Sequence, residues 1–98
     1  MYEELVEKGK TSSFLHIIEA DVGRSFPLIP FFKKGTKYGD AGQRSLTNVL
    51  QAYSVYDENV GYCQGMNQLA AFILLMNGCQ EREAFWFLVS LLNPGSEE

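Results

Sequence analysis

Apolar residues in this 98-residue chain recur with the period of a helix and nowhere alternate as a strand does, so the core has to be built by packing helix on helix. From residue 43, Leu46, Val49, Leu50, Tyr53 and Tyr56 fall at i, i+3, i+4, i+7 and i+10, one face of a helix. Asp57-Glu58-Asn59 breaks that pattern and Gly61 follows. Gln64 to Asn77 is apolar almost all round, which predicts a helix in a central, buried position. Asn77-Gly78 closes it with residues suited to a left-handed cap. Glu81 to Leu92 reads as a further helix, with Glu81 and Glu83 in its first turn where the helix dipole favours them. Asn93-Pro94-Gly95 stops it.

The first half is more broken. Residues 2–11 read as the tail of a helix ending at Gly9 as a C-cap, with Ser12 or Ser13 as the N-cap of the next. In that next helix Phe14, Leu15, Ile17 and Ile18 cover one broad face, and it fades near Gly23. Residues 23–42 read as a loop punctuated by Gly23, Pro27, Pro30, Gly35, Gly39 and Gly42. Phe26, Leu28, Ile29, Phe31 and Phe32 make it apolar enough to pack down on the rest. The expected class is all-α, with about four helices and a Pro/Gly-rich loop after the second. A helix already under way at Tyr2 and a chain that stops just after Ser96 suggest a piece of a longer helical domain.

A chain of this length buries roughly 60–70% of its unfolded surface, enough for one small core. Its composition, 46% apolar and 20% charged, is that of a globular protein. A net charge of −4 argues against a dedicated nucleic-acid binder. The charge is uneven: seven basic and six acidic residues in 1–49, one basic and six acidic in 50–98. The longest apolar run, Leu69 to Met76, falls far short of the ~20 residues a membrane span needs. Met-Tyr-Glu-Glu is no signal peptide. Cys63 and Cys79 form neither a CxxC pair nor a metal spacing, and His16 is the single histidine, so no metal site is expected. Reduced, cytoplasmic and without membrane insertion is the expected setting.

Several apparent motifs fail on chemistry. Gly9-Lys10-Thr11 imitates the end of a phosphate-binding loop, but Glu4 stands where the pattern needs a glycine. No GxSxG elbow occurs, and Cys63 has no histidine nearby in sequence to activate it.

Two stretches invite a functional reading. In Asp21-Val22-Gly23-Arg24, the carboxylate and the guanidinium are three residues apart and share a helical face. Spacing alone favours a surface ion pair at a helix end. The alternative is an arginine held by a carboxylate and aimed at a developing negative charge, as phosphoryl transfer requires. In Gly61-Tyr62-Cys63-Gln64-Gly65, a glutamine lies between two glycines at the start of an apolar helix. Such a residue is most often a cap. Yet Gly61 and Gly65 admit close backbone approach, a helix N-terminus favours anions, and Gln64 has a donor and an acceptor with which to orient a water.

Taken in order, Ile18, Asp21 and Arg24 as IxxDxxR and Tyr62–Met66 as YCQGM resemble the TBC domain of Rab GTPase-activating proteins. Residues 44–53 resemble the family's helix before the glutamine motif, and Glu83-Ala84-Phe85-Trp86 the helix after it. The family's RxxxW motif has no counterpart, and Ser25 follows the arginine where a threonine is usual. The resemblance implies the N-terminal, finger-bearing portion of such a domain across residues 1–98. It implies a regulator that accelerates GTP hydrolysis by a Rab-family small GTPase in its GTP-bound form, in vesicle trafficking. Arg24 is then the arginine finger and Gln64 the glutamine finger, with Asp21, Tyr62, Gly61 and Gly65 in support. No cofactor of its own is implied, since GTP and Mg²⁺ belong to the GTPase. Recruitment to endomembranes would fall to regions outside this chain. A basic rim of Arg24, Lys33, Lys34, Lys37 and Arg44 against Asp40 alone suits approach to an anionic GTPase–nucleotide face. Two other readings stay open: a helical module that binds a GTPase or another protein without catalysis, and an inactive truncated fragment.

Overall fold

The computed structural model describes residues 1–23 and 37–93, with backbone alone at 37–40. Among these residues it contains five helices and no strand: α1 (Tyr2–Gly9), α2 (Leu15–Gly23), α3 (Lys37–Tyr56), α4 (Met66–Met76) and α5 (Glu81–Leu92). The all-α expectation holds, and the stretch read as a helix tail is helical from Tyr2 to Gly9. The Pro/Gly-rich stretch after α2 lies outside the described residues from 24 to 36. Its last part does not: residues 37–42, expected as loop, are the first turns of α3. Gly39 and Gly42 looked like breakers, but a glycine lowers helix stability by only about 1 kcal/mol relative to alanine, and packing overrides that.

Within this chain the most enclosed helix is α3, not the α4 segment expected to be central. From Ser45 to Ser54 nearly every position of α3 is buried, including Leu46, Val49, Leu50, Ala52 and Tyr53. Each such large apolar side chain contributes roughly 1.5–3 kcal/mol by leaving water. Two buried polar residues on the same turns are bonded. Gln51 Nε2 donates to the Val6 carbonyl at 2.9 Å, tying α3 to α1. Ser54 Oγ donates to the Gln51 carbonyl at 2.8 Å and meets Ser12 Oγ at 2.9 Å. No buried side-chain nitrogen or oxygen among the described residues lacks a partner, which is what makes a partly polar helix tolerable in the middle.

By contrast α4, the most apolar segment, is covered on one side only. Ala70, Ala71, Ile73 and Leu74 face the core, while Phe72 and Met76 are 58% and 70% exposed. Leu75 on α4 and Phe87, Leu91 and Leu92 on α5 are bare as well. Ile17, expected on the buried face of α2, is exposed; the helix buries Ile18, Asp21 and Val22 instead.

Aromatic rings stitch α1, α3 and α5 together. Phe85 is fully buried, with Tyr2 at 5.3 Å and Tyr56 edge-on at 5.6 Å between ring centroids. Tyr56 also meets Trp86 edge-on at 5.7 Å. Such pairs add about 0.5–1.5 kcal/mol each beyond their burial. Tyr2 Oη donates to Glu81 Oε1 at 3.0 Å, and burial together with that carboxylate pushes the phenol well above its ordinary range. An exposed Arg82–Glu3 ion pair joins the same two helices.

Gly9 is a contact residue, not the C-cap the sequence suggested. The helix runs through it, and Lys10 caps in right-handed geometry. A Cβ on Gly9 would lie 2.5 Å from the Gln51 carbonyl oxygen, so the absent side chain is what lets α1 approach the α3 backbone. The expected left-handed residue after α4 is present at Gly78, with φ 71°. The Cys79 N–H bonds back to the Leu74 carbonyl at 2.8 Å, the six-to-one bond of a Schellman ending.

Candidate functional site

Residues 57–65 connect α3 to α4, and three interactions shape the path. The Asp57 carbonyl accepts the N–H groups of Val60 and Gly61, at 3.2 and 2.7 Å. That turn follows directly from α3, whose Tyr53 Oη donates to Asp57 Oδ2 at 2.9 Å. Burial and the Asp57 carboxylate raise the Tyr53 phenol far above its usual range. Gly61 then takes φ +65° against the ring of Phe14, where a Cβ would lie 2.3 Å from Cζ.

Tyr62 follows, 7% exposed, and its Oη donates to Asp21 Oδ2 at 2.6 Å across 41 residues of sequence. Asp21, itself 5% exposed, stands in the last turn of α2. A bond this short to a carboxylate is among the stronger kinds a protein makes. The Asp21 carboxylate, singled out for its i, i+3 spacing with Arg24, is buried and takes the Tyr62 hydroxyl, while Arg24 lies outside the described residues. Local spacing cannot report a partner on another helix.

Beyond Tyr62 the chain surfaces. Cys63, Gln64 and Gly65 are all exposed. The turn is closed by the Met66 N–H on the Cys63 carbonyl at 3.0 Å, and by the Cys63 N–H directed at Met66 Sδ at 3.1 Å. Gly65, at φ +104° with open space around it, is the N-cap of α4. The helix therefore begins two residues later than expected, and Gln64 does not cap it. The Gly65 N–H goes to Asn67 Oδ1 at 3.3 Å, so two of the amides at this helix start are already engaged. What the turn offers outward is the Gln64 carboxamide, exposed and making no hydrogen bond to the described residues.

Of the six residues singled out from sequence, the structure brings Asp21 and Tyr62 into contact and sets Gly61, Gln64 and Gly65 on the same turn. Arg24 lies outside the described residues, one residue beyond the end of α2. Of the basic rim, Arg44 alone has a described side chain, and it is exposed. Sequence reasoning missed Phe14, grouped with the core face of α2, and Ser12–Ser54, which holds the start of that helix to α3. Neither leaves a local signal, because both act across long sequence separations.

Among the described residues no group of His, Cys, Asp or Glu is arranged to hold a metal ion. No described helix is long and apolar enough to cross a membrane. Cys63 and Cys79 are free thiols.

Similarity to known proteins covers the whole of this arrangement. The sequence profile of the Rab-GTPase-TBC domain matches residues 1–98. TBC1 domain family member 1 of Mus musculus is 45% identical over 91 residues, 93% of this chain. Rab GTPase-activating protein eat-17 of Caenorhabditis elegans is 42% identical over 83 residues, 85% of this chain. The chain spans only 7% and 9% of the length of these two relatives. The crystal structure of the Chlamydomonas flagellar RabGAP TBC domain superimposes with a TM-score of 0.85 at 35% identity, over 94% of this chain and 30% of that one. On sequence and fold together, the chain belongs to the Rab-GTPase-TBC domain family.

Proposed function

We propose that this chain is the finger-bearing portion of a GTPase-activating protein, and that it accelerates GTP hydrolysis on a Rab-family GTPase in its GTP-bound form. Arg24 and Gln64 act in trans. Hydrolysis of GTP spreads negative charge over the transferring γ-phosphoryl group, and catalysis consists almost entirely of positioning and of stabilising that charge. The Arg24 guanidinium supplies the positive charge. The Gln64 carboxamide accepts a hydrogen bond from the attacking water and donates one, holding that water in line with the phosphorus. GTP and Mg²⁺ come with the GTPase.

The observation that carries this reading is the Tyr62–Asp21 hydrogen bond at 2.6 Å. Asp21 precedes Arg24 by three residues, and Tyr62 precedes Gln64 by two. The bond thus fastens the turn bearing the glutamine to the helix that ends beside the arginine. It is buried at both ends, so it holds without competition from water. A glutamine left exposed on a turn anchored in this way suits a group that acts on a partner's substrate, because it is placed by its backbone and free at its amide.

Single-turnover GTP hydrolysis across a panel of Rabs, with the wild-type chain and Arg24→Ala, tests the assignment. An arginine finger contributes about 10³–10⁵ in rate, so the variant loses most of the acceleration while its helical spectrum and melting stay near wild type. Equal acceleration by both proteins refutes the role of Arg24. No acceleration by either on any Rab leaves binding without catalysis or an inactive truncated fragment, and a longer piece of the protein assayed alongside separates the two.

A further inference from the structure

We propose that Phe14 is a positioning residue for Gln64: its ring fills the space beside Gly61 and so fixes the backbone from which the glutamine turn departs. The inference rests on the catalytic reading of Gln64 given above.

Gly61 is buried and at φ +65°, a conformation that side chains rarely adopt. A Cβ built there would fall 2.3, 2.4 and 2.9 Å from Cζ, Cε2 and Cε1 of Phe14. The ring edge is pressed onto the Gly61 backbone from one side, and the Asp57 carbonyl holds its N–H from α3 at 2.7 Å. A residue gripped in this way has little torsional freedom to pass on to Tyr62 and Cys63.

Phe14 is itself held. Its N–H donates to Ser12 Oγ at 3.1 Å, and that oxygen meets Ser54 Oγ of α3 at 2.9 Å. Its carbonyl accepts the Ile18 N–H at 3.0 Å, so the residue also starts α2. Residues 14–21 therefore hold the Gly61-Tyr62 pair at two points. Phe14 packs on the first residue, and Asp21 takes the hydroxyl of the second. The hydrogen bond fixes the Tyr62 side chain; the ring fixes the backbone before it. Gln64 is exposed and has no side-chain tether among the described residues, so its placement depends on that backbone.

The test reads the turn directly and the chemistry separately. In a Cys79→Asn background, which keeps a residue tolerant of the left-handed conformation at position 79, a nitroxide on the exposed Cys63 reports the mobility of the turn by its electron paramagnetic resonance line shape. The wild-type ring should give a slow, ordered component. Phe14→Ala should convert it to a fast one at temperatures well below the melt, with Phe14→Leu intermediate. Gly61→Ala should loosen the turn in the presence of Phe14 and do so less once Phe14 is alanine. In single-turnover assays Phe14→Ala should lower the maximal hydrolysis rate by about 10–100-fold, with half-saturation by the GTPase little changed. An unchanged line shape in Phe14→Ala overturns the proposal. So does a loosened turn with an unchanged maximal rate in an active chain. If the wild type accelerates no Rab, Gln64 has no rate to set in this chain, and the label still decides whether Phe14 orders the turn.

Discussion

The bundle of α1, α3 and α5 and the turn from Val60 to Gly65 are held by different means. In the bundle, fully buried rings and aliphatic side chains meet on three helices, with Gln51 and Ser54 bonded across the middle. Many contacts share the work, and no one of them sets a geometry. The turn has few contacts, each at a defined point: the Asp57 carbonyl, the Phe14 ring and the Asp21 carboxylate. Past those, Cys63, Gln64 and Gly65 stand in solvent. The difference separates stability from placement. Substitutions in the bundle should show in the melting curve, and substitutions in the turn should show in the rate.

Phe85→Ala bears hardest on the bundle. It empties a fully buried position between Tyr2, Tyr56 and Trp86, and the expected loss is about 3–5 kcal/mol in urea unfolding. Gly9→Ala sharpens the point because helix propensity predicts the opposite sign, a gain of about 1 kcal/mol. The 2.5 Å approach to the Gln51 carbonyl makes the outcome a loss of about 1–3 kcal/mol, and a stabilised protein would show that α1 does not sit this close.

Tyr62→Phe stands between the two regions. It leaves the buried Asp21 carboxylate without the hydroxyl, costing about 1–2 kcal/mol, and it lowers the hydrolysis rate further than that stability loss explains. A smaller effect is expected in alkali. Burial and Asp57 raise the Tyr53 phenol, so the folded chain keeps a proton that the unfolded chain releases near pH 10. The contribution is fully present below that pH and is lost as pH rises above it. Melting temperature followed from pH 8 to 11.5 should fall more steeply in wild type than in Tyr53→Phe; parallel curves would remove the phenol from the account.

How far the sequence could be read depended on where the information lies. The spacing of Leu46, Val49, Leu50 and Tyr53 marks the inner face of α3, and the glycine and asparagine after Met76 mark the end of α4, because both are local patterns. The position of a helix in the bundle is not local. Apolar content nominated α4 as central, but α3 is enclosed with Gln51 and Ser54 aboard because their partners come from α1, from the turn before α2 and from α3 itself. Gly9 was legible as special and not in its role: a close approach and a C-cap look alike until the crossing helix is in place. At the site, Asp21 and Tyr62 were named by resemblance to a family, yet their partnership spans 41 residues and no spacing rule reaches that far.

The central claim is that the turn places Gln64 for chemistry and leaves folding to the bundle. Gln64→Ala, measured for thermal unfolding and for single-turnover GTP hydrolysis on the most responsive Rab, tests it most directly. Stability should stay within about 0.5 kcal/mol of wild type, as for any exposed, untethered side chain, while the rate falls by about 100-fold. A rate that survives the substitution, or one that falls only in step with a lowered melting temperature, would contradict it.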